Sequence, residues 1–167
     1  WVWKLGMNLT HYKNKVTELP LKDMPQSGVN KLQVGRSVYD FYMKEWAGVD
    51  PDNGNPLWYM DEKDANDKLT GKRVTTSDYA SANYYYVNKS SLPKVYGGFN
   101  TSLSWKGFDL SAIFAYSIGG YIYNRDITMI LHNGSLEGRD WSTEILKRWT
   151  PENRYTDVPA LSTTSNN

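Results

Sequence analysis

The chain has 167 residues, which is enough for one domain with a hydrophobic core. Its 19 Lys and Arg residues nearly balance its 18 Asp and Glu residues, for a net charge of +1. This charge argues against nucleic acid as the main partner, because such a partner requires a basic face. The absence of cysteine excludes a disulfide framework, a thiolate metal site and a cysteine nucleophile.

Aromatic residues make up 14% of the chain, and the mean hydropathy is −0.64. No run approaches the ~18 apolar residues of a transmembrane helix, so none is predicted. The low mean hydropathy remains compatible with a transmembrane β-barrel, because half of each strand is polar and the loops are long. Trp1 lies inside a strand-like pattern, so we expect the chain to be part of a longer one.

Residues 1–12 alternate between apolar and polar side chains, which predicts a strand whose apolar face points outward. Two prolines and a glycine predict a loop over 20–31. Residues 32–47 form a second extended region, in which a helix is possible over 37–46 and a strand is favoured by the aromatic and β-branched content.

The sequence from Asp50 to Gly54 predicts a turn, because proline presets φ and Asn-Gly provides left-handed positions. Residues 57–60 are the predicted returning strand. Residues 61–83 are polar with no clear period and predict an exposed loop, which Tyr84, Tyr85 and Tyr86 follow. Pro93 is expected just before the next strand.

Residues 95–123 contain the clearest pattern in the chain, two alternating runs separated by Lys106-Gly107. This predicts a hairpin with a two-residue turn, since glycine tolerates the positive φ that such a turn requires. Each run has the ~9–11 residues with which a tilted strand crosses a bilayer. The residues predicted to face lipid are Phe99, Leu103, Trp105, Phe108, Leu110 and Phe114.

The aromatic residues near both ends of this hairpin are typical of the girdles of a transmembrane barrel, with Tyr96 and Phe99 at one end and Trp105 and Phe108 at the turn. A hairpin of a soluble β-sandwich alternates in the same way. The pattern alone leaves both alternatives open.

A short helix is predicted after Trp141, where Asp140 or Ser142 can cap it. Glu144 lies early and Lys147 and Arg148 lie late in this helix, as the helix dipole favours, and Pro151 ends it.

The sequence gives no positive indication of catalysis, and we expect neither an enzyme, a cofactor nor a metal site. Asp50 and Asp52 resemble a calcium loop only faintly, because Gly54 stands where the third ligand belongs. His11 and His132 lie far apart with no nearby acidic or histidine cluster, so surface or loop histidines are expected.

Aromatic residues assigned to loops are the stronger functional candidates, because they could stack on a ligand or hold a partner. For any single one of them, packing within loops and girdles is the favoured explanation, because aromatic residues at a bilayer interface need no ligand. These residues are Trp58, Tyr59, Tyr84, Tyr85, Tyr86, Trp141 and Trp149.

Three ordered segments resemble the C-terminal barrel region of SusC/RagA-type TonB-linked outer-membrane transporters. The segments are 45–59 (EWAGVDPDNGNPLWY), 93–110 (PKVYGGFNTSLSWKGFDL) with Gly119, Gly120, Tyr123 and Asn124, and 148–153 (RWTPEN) with 156–159 (TDVP). Asn8 and 13–16 fit the strand upstream. Arg154 and Asn53 depart from the family pattern, where proline and threonine are usual, and these departures affect local turns.

The resemblance implies an all-β fold in which 1–167 is one part of a large antiparallel transmembrane barrel of roughly 22 strands, with long loops and one short loop helix. The family's plug and closing strands would lie outside this chain. The resemblance also implies energised import of glycans or oligopeptides across the bacterial outer membrane, with a SusD-like surface lipoprotein and with TonB acting through the plug. The alternatives are a soluble β-sandwich that binds carbohydrate and a passive porin-type barrel.

Overall fold

The computed structural model describes residues 1–21, 24–134, 136 and 138–162, and the statements that follow concern these residues. The chain divides into two compact units. One comprises residues 1–42 and 86–122, and the other comprises residues 43–85 and 123–167. No linker was predicted from the sequence, and both units are built from discontinuous stretches of chain.

Ten strands are observed in the described part of the chain. They are β1 (Val2–Thr10), β2 (Gln26–Ser27), β3 (Asn30–Lys31), β4 (Asp40–Lys44), β5 (Trp46–Val49), β6 (Pro56–Lys63), β7 (Leu69–Thr76), β8 (Tyr84–Ser90), β9 (Val95–Trp105) and β10 (Phe108–Ile118). They form three sheets with the orders β1-β9-β10, β2-β3-β4-β8 and β5-β6-β7. The pairings with a determined register are antiparallel, which confirms the predicted all-β antiparallel class.

The sheet β1-β9-β10 confirms both the predicted first strand and the predicted hairpin. Lys106 and Gly107 have φ values of 47° and 88° and connect β9 directly to β10. Positive φ at both positions is the type I′ geometry whose twist matches that of the flanking strands. The register pairs Leu103 with Leu110 on one side and with Trp3 on the other, so β9 is the central strand.

The extended region predicted over 32–47 is confirmed only in its second half. Residues 32–39 contain no strand, and extended pairing begins at Asp40, where β4 starts. The preceding segment is bonded to the chain after β1, since the backbone N–H groups of Gly35 and Val16 donate to Val16 and Arg36 respectively, each over 2.8 Å. These bonds satisfy backbone groups that a strand would have offered to a neighbour.

The turn over 50–54 is confirmed, and Asp50 holds it together. Its carboxylate accepts the backbone N–H of Asp52 and the side-chain amide of Asn53 over 2.9 and 2.7 Å. Gly54 has a φ of 75°, whereas Asn53 does not enter the left-handed region. The hydrogen bonds to Asp50 close the turn that was predicted for this stretch.

The prediction of a loop over 61–83 is wrong, because β6 continues to Lys63 and pairs with β7. The connection is a tight turn in which Asp64 accepts the backbone N–H groups of Asn66 and Lys68 over 2.8 and 3.0 Å. Nearly every residue of β7 is exposed, so no burial imposes a period of two on its sequence.

Two short helices complete the described elements. The predicted capped helix is present as a 3₁₀ helix, Thr143–Lys147, with Ser142 as the N-cap and its hydroxyl accepting the N–H of Glu144. The helix α1 (Arg125–Ile130) was not predicted. Its N-cap is Asn124, whose side chain accepts the N–H groups of Asp126 and Ile127. None of the helices in the described residues is both long and apolar enough to span a membrane.

Hydrophobic burial is sparse within each unit. Phe41 is buried in one unit, and Trp58, Ala82 and Ile145 are buried in the other. The sheet β1-β9-β10 carries most of its large apolar side chains exposed instead.

Candidate functional site

The apolar face of the sheet β1-β9-β10 is the most distinctive surface of the chain. The register places the cross-strand partners Trp3, Leu103 and Leu110 on one face, and likewise Met7, Phe99 and Phe114. Every residue predicted to face lipid lies on this face and is exposed: Phe99 39%, Leu103 40%, Trp105 53%, Phe108 76%, Leu110 71% and Phe114 47%. We call this surface the apolar face.

Polar groups on the apolar face make hydrogen bonds within the sheet. The indole N–H of Trp3 donates to the hydroxyl of Thr101 over 2.8 Å, and the phenol of Tyr116 donates to the carbonyl of Asn8 over 3.0 Å. Tyr116 reaches that carbonyl across Gly97, whose missing side chain leaves the space. The indole of Trp3 and the phenol of Tyr116 are thus satisfied within the sheet.

The opposite face of this sheet is mainly polar. Asn8 accepts the N–H of Gly98 over 2.9 Å through its side chain, and Ser104 hydrogen-bonds Asp109 across the hairpin. Tyr96 belongs to this polar face, since its partners are Thr10 and Ser117, so its assignment to the apolar end girdle is wrong. The cause is parity, because Tyr96 and Phe99 are an odd number of residues apart.

Five of the seven candidate aromatic residues lie in strands, which for Trp58 and Tyr59 agrees with the strand predicted over 57–60. Trp58 and Tyr59 belong to β6, whereas Tyr84, Tyr85 and Tyr86 begin β8. Trp58 is only 7% exposed. It packs edge-on against Trp46 and Tyr79, with ring centroids 5.7 and 5.1 Å away. Trp58 is therefore a core residue.

Tyr84 and Trp58 belong to one cluster with Tyr79 and Lys44, in which Trp58 contacts Tyr79 and Tyr84 contacts Lys44. The Lys44 ammonium lies 4.0 Å from the ring centroid of Tyr79 and 5.2 Å from that of Tyr84, and it hydrogen-bonds the carbonyl of Tyr79. Burial is the main cause that raises the pKa of Tyr79 above the usual value for a tyrosine.

Tyr85 is held between charged partners. Its hydroxyl donates to Asp61 over 2.8 Å, and the Arg73 guanidinium lies 3.9 Å from its ring centroid. Arg73 also pairs with Glu45 over 2.9 Å. Sequence reasoning missed these partners, because Glu45, Asp61, Arg73 and Tyr85 are brought together by strand pairing and not by local spacing.

Tyr86 is likewise engaged in packing, with its ring centroid 4.8 Å from that of Tyr42 and its hydroxyl donating to the carbonyl of Lys31 over 2.9 Å. Trp141 lies in a loop and is 44% exposed, with its ring edge-on to His132 at 5.4 Å. Trp149 follows the 3₁₀ helix and donates its indole N–H to the carbonyl of Pro51 over 3.1 Å. Of the seven, Trp141 is the residue that fits the expected exposed loop position.

The two histidines occupy different environments. His11 is exposed, as expected, and its Nδ1 lies 2.6 Å from the carbonyl of Lys94. His132 lies in a loop but is only 4% exposed. Within the described residues no group of three or more His, Cys, Asp or Glu side chains could hold a metal ion.

Two curated proteins of Formosa agariphila are similar to the chain over 94% of its length. They are TonB-dependent receptor P3, at 25% identity, and TonB-dependent receptor P26, at 28% identity. The chain spans 16% and 17% of their respective lengths. No family model matches the chain.

Solved structures of the RagAB peptide transporter are similar in fold and in sequence. One matches with a TM-score of 0.79 and 32% identity, covering 98% of this chain and 18% of the solved one. The RagAB peptide importer in its open-open state matches with a TM-score of 0.76 and 31% identity, covering 95% and 17%. These similarities confirm that the chain resembles the SusC/RagA type of TonB-dependent receptor, a class of outer-membrane β-barrel proteins.

Proposed function

We propose that this chain forms part of the wall of an energised outer-membrane importer. The apolar face then contacts lipid, and the opposite face of the same sheet lines a water-filled lumen. The observation that carries this proposal is the row of exposed apolar side chains, which continues in register across three antiparallel strands.

Strand length and turn geometry support the same proposal. The strands β9 and β10 have 11 residues each and β1 has 9, which matches the ~9–11 residues of a tilted transmembrane strand. A two-residue turn at one end is typical of the periplasmic side of such barrels. Open strand edges are not tolerated in lipid, so β1 and β10 require partner strands in the assembled wall.

The proposed cargo is an oligopeptide, with a glycan as the alternative. A peptide is favoured because the similar solved structures are of a RagAB peptide importer. A SusD-like lipoprotein would cover the loops, and TonB would act through a plug that lies outside this chain. None of the residues described here is assigned a catalytic role.

Site-directed labelling of the full-length receptor tests the lipid-facing assignment. Leu110→Cys and Ser111→Cys are adjacent in β10 and point to opposite faces, and the chain has no cysteine of its own. In receptor reconstituted in phospholipid vesicles, a nitroxide at position 110 should be relaxed more by oxygen, and one at 111 more by a water-soluble nickel chelate. A label at 110 that neither reagent reaches would indicate a protein core and support the β-sandwich alternative.

Uptake measurements test the importer and its cargo. Cells with and without TonB are given a fluorescent oligopeptide or a fluorescent oligosaccharide of similar mass. We expect receptor-dependent uptake of the peptide that is lost without TonB. Uptake that persists without TonB would support a passive porin, and uptake of the oligosaccharide alone would overturn the peptide assignment.

A further inference from the structure

A basic pocket lies at the end of the sheet β1-β9-β10 that is remote from the Lys106-Gly107 turn. The chain segments that line it are 11–15, which follows β1, residues 35–37 with Asp40, and residues 90–94, which precede β9. The cavity has a volume of about 360 Å³. Its lining includes the cationic side chains Lys13, Lys15, Arg36 and Lys94, and we call it the basic pocket.

The charges around the basic pocket are strongly unbalanced. Asp40 is the single acidic residue of the lining, against four cations and His11. The Asp40 carboxylate already accepts the backbone N–H of Ser37 over 3.3 Å. Among the described residues, none of the four cations forms an ion pair with a carboxylate. The pocket therefore has uncompensated positive charge.

Two contacts with residues outside the pocket lining hold the side chain of Arg36 in place. Its guanidinium lies 4.6 Å from the ring centroid of Tyr86, and Nη1 donates to the side-chain carbonyl of Asn88 over 3.2 Å. A guanidinium has five N–H donors, so most of them remain for a ligand. Fixing the side chain in advance reduces the entropy that binding an anion would cost.

Backbone hydrogen bonds give the pocket a defined framework. Gly35 and Arg36 are bonded to Val16, and Ser91 donates to the carbonyl of Tyr39 over 3.1 Å. His11 Nδ1 contacts the carbonyl of Lys94 over 2.6 Å, which links the lining segment after β1 to the one before β9. The cations are therefore supplied by segments that are tied to one another.

We propose that the basic pocket binds a tetrahedral oxyanion, either a phosphate or a sulfate group. Arginine and lysine bind such groups through charge-assisted hydrogen bonds, and arginine matches their geometry bidentately. The group can come from a lipid headgroup or from a phosphorylated or sulfated cargo molecule. The evidence for the anion site is the pocket itself. Its position at the outer rim of a barrel, opposite the short turn, depends on the proposed function.

Equilibrium dialysis of the full-length receptor with radiolabelled inorganic phosphate tests the site at fixed ionic strength. The test variant is Arg36→Gln with Lys94→Gln. The control, Lys68→Gln with Lys72→Gln, removes the same charge from two exposed positions outside the pocket. We expect saturable binding by the wild type and the control, and affinity at least about tenfold weaker in the test variant, because charge-assisted bonds are lost.

Equal binding by test and control variants would overturn the proposal, since a general surface charge would then account for it. Absence of saturable binding by the wild type would overturn it as well. The single variants Lys15→Gln and Lys94→Gln change exposed side chains, so they provide the comparison if Arg36→Gln fails to fold. This assay requires neither import nor a bilayer, so its failure leaves the proposed function standing.

Two further probes distinguish the sources of the anion. Native mass spectrometry of the receptor in detergent micelles that contain phosphatidic acid or phosphatidylcholine tests a headgroup. Competition of phosphate binding by glucose 6-phosphate tests a soluble phosphorylated sugar. Selective phosphatidic acid adducts that the test variant loses would assign a lipid. Competition by the sugar without such adducts would assign a cargo molecule.

Discussion

Phe99 and Phe114 stack face to face across β9 and β10, with their ring centroids 4.4 Å apart and their planes inclined by 13°. They are direct partners in the strand register. Stacked aromatic pairs contribute beyond the area they bury, so this pair stabilises the register that the two-residue turn sets.

A double-mutant cycle with Phe99→Leu and Phe114→Leu should measure a coupling free energy of about 1 kcal/mol. The measurement is urea unfolding of the full-length receptor in detergent micelles. The matched control is the cycle Leu103→Ala with Leu110→Ala, an aliphatic pair in the same strands. A coupling no larger for the phenylalanines than for the leucines would show that the stacking has no energetic role.

Arginine substitutions at adjacent residues of β10 should differ in cost. Ala112 shares the apolar face, and Ile113, which is 86% exposed, lies opposite Asn100 on the other face. Near the bilayer midplane a lipid-facing arginine costs about 2–4 kcal/mol, whereas a lumen-facing one is tolerated. We expect Ala112→Arg to lower the free energy of unfolding in vesicles by this amount and Ile113→Arg to change it little. The reverse order would refute the assignment of the two faces.

Gly97→Ala should destabilise the sheet by about 1–3 kcal/mol, as overpacking does. A Cβ at this position would lie 2.2 Å from the backbone carbonyl oxygen of Asn8, which cannot move without disrupting β1. The control is Gly6→Ala, whose Cβ would lie at the same distance from the side-chain oxygen of Asn100. We expect a smaller loss of stability there, because the Asn100 side chain can rotate away. Thermal unfolding of both variants provides the comparison, and equal losses would contradict the backbone explanation.

The phenol of Tyr121 should titrate at a lower pH than an ordinary tyrosine. A hydrogen bond from Lys89 and the positive charge of this lysine lower the pKa of Tyr121. Its folded pKa is depressed, so any stabilisation by the ionised form is present above the unfolded value of about 10 and is lost as pH falls through the folded value. Lys89→Met should raise the pKa, as measured by NMR of ¹³C-labelled tyrosine. No change would exclude Lys89 as the cause.

Trp149 should act as a structural residue of the 50–54 turn and not as a ligand contact. A Cβ on Gly54 would lie 2.6 Å from the Trp149 ring, and φ at Gly54 is 75°. We expect both Trp149→Ala and Gly54→Ala to lower the unfolding temperature. Neither should change the affinity of the remaining folded receptor for peptide, measured by fluorescence anisotropy. Weaker peptide binding by folded Trp149→Ala would restore its predicted role as a ligand contact.

The parts of the fold that could be predicted from sequence are those in which one face differs chemically from the other. The hairpin β9-β10 was predicted because its apolar residues alternate and because Lys106-Gly107 allows a positive φ at both turn positions. The strand β7 was missed because both of its faces are exposed and polar. The helix α1 was missed because six residues are too few to establish a helical period, although Asn124 is a visible cap.

The candidate surfaces divide in the same way. The apolar face could be predicted from the alternation of apolar and polar residues alone, because paired strands keep directly opposite residues on the same face. The placement of Trp58 in a core and of Tyr85 against Arg73 and Asp61 depends on which strands become neighbours, and these residues are distant in sequence. The basic pocket likewise brings together three separate segments, and of these the sequence related 13–16 only to the strand upstream.

The two kinds of connection in the sheet β1-β9-β10 imply an order of assembly. The hairpin β9-β10 closes through two residues and needs no other part of the chain, so it can form within microseconds. The strand β1 joins β9 only after a loop of roughly 85 residues has closed, and loop closure costs more entropy as the loop lengthens. The hairpin should therefore form first and then pair with β1, and a substitution at its turn should slow assembly of this sheet even where the folded protein is no less stable.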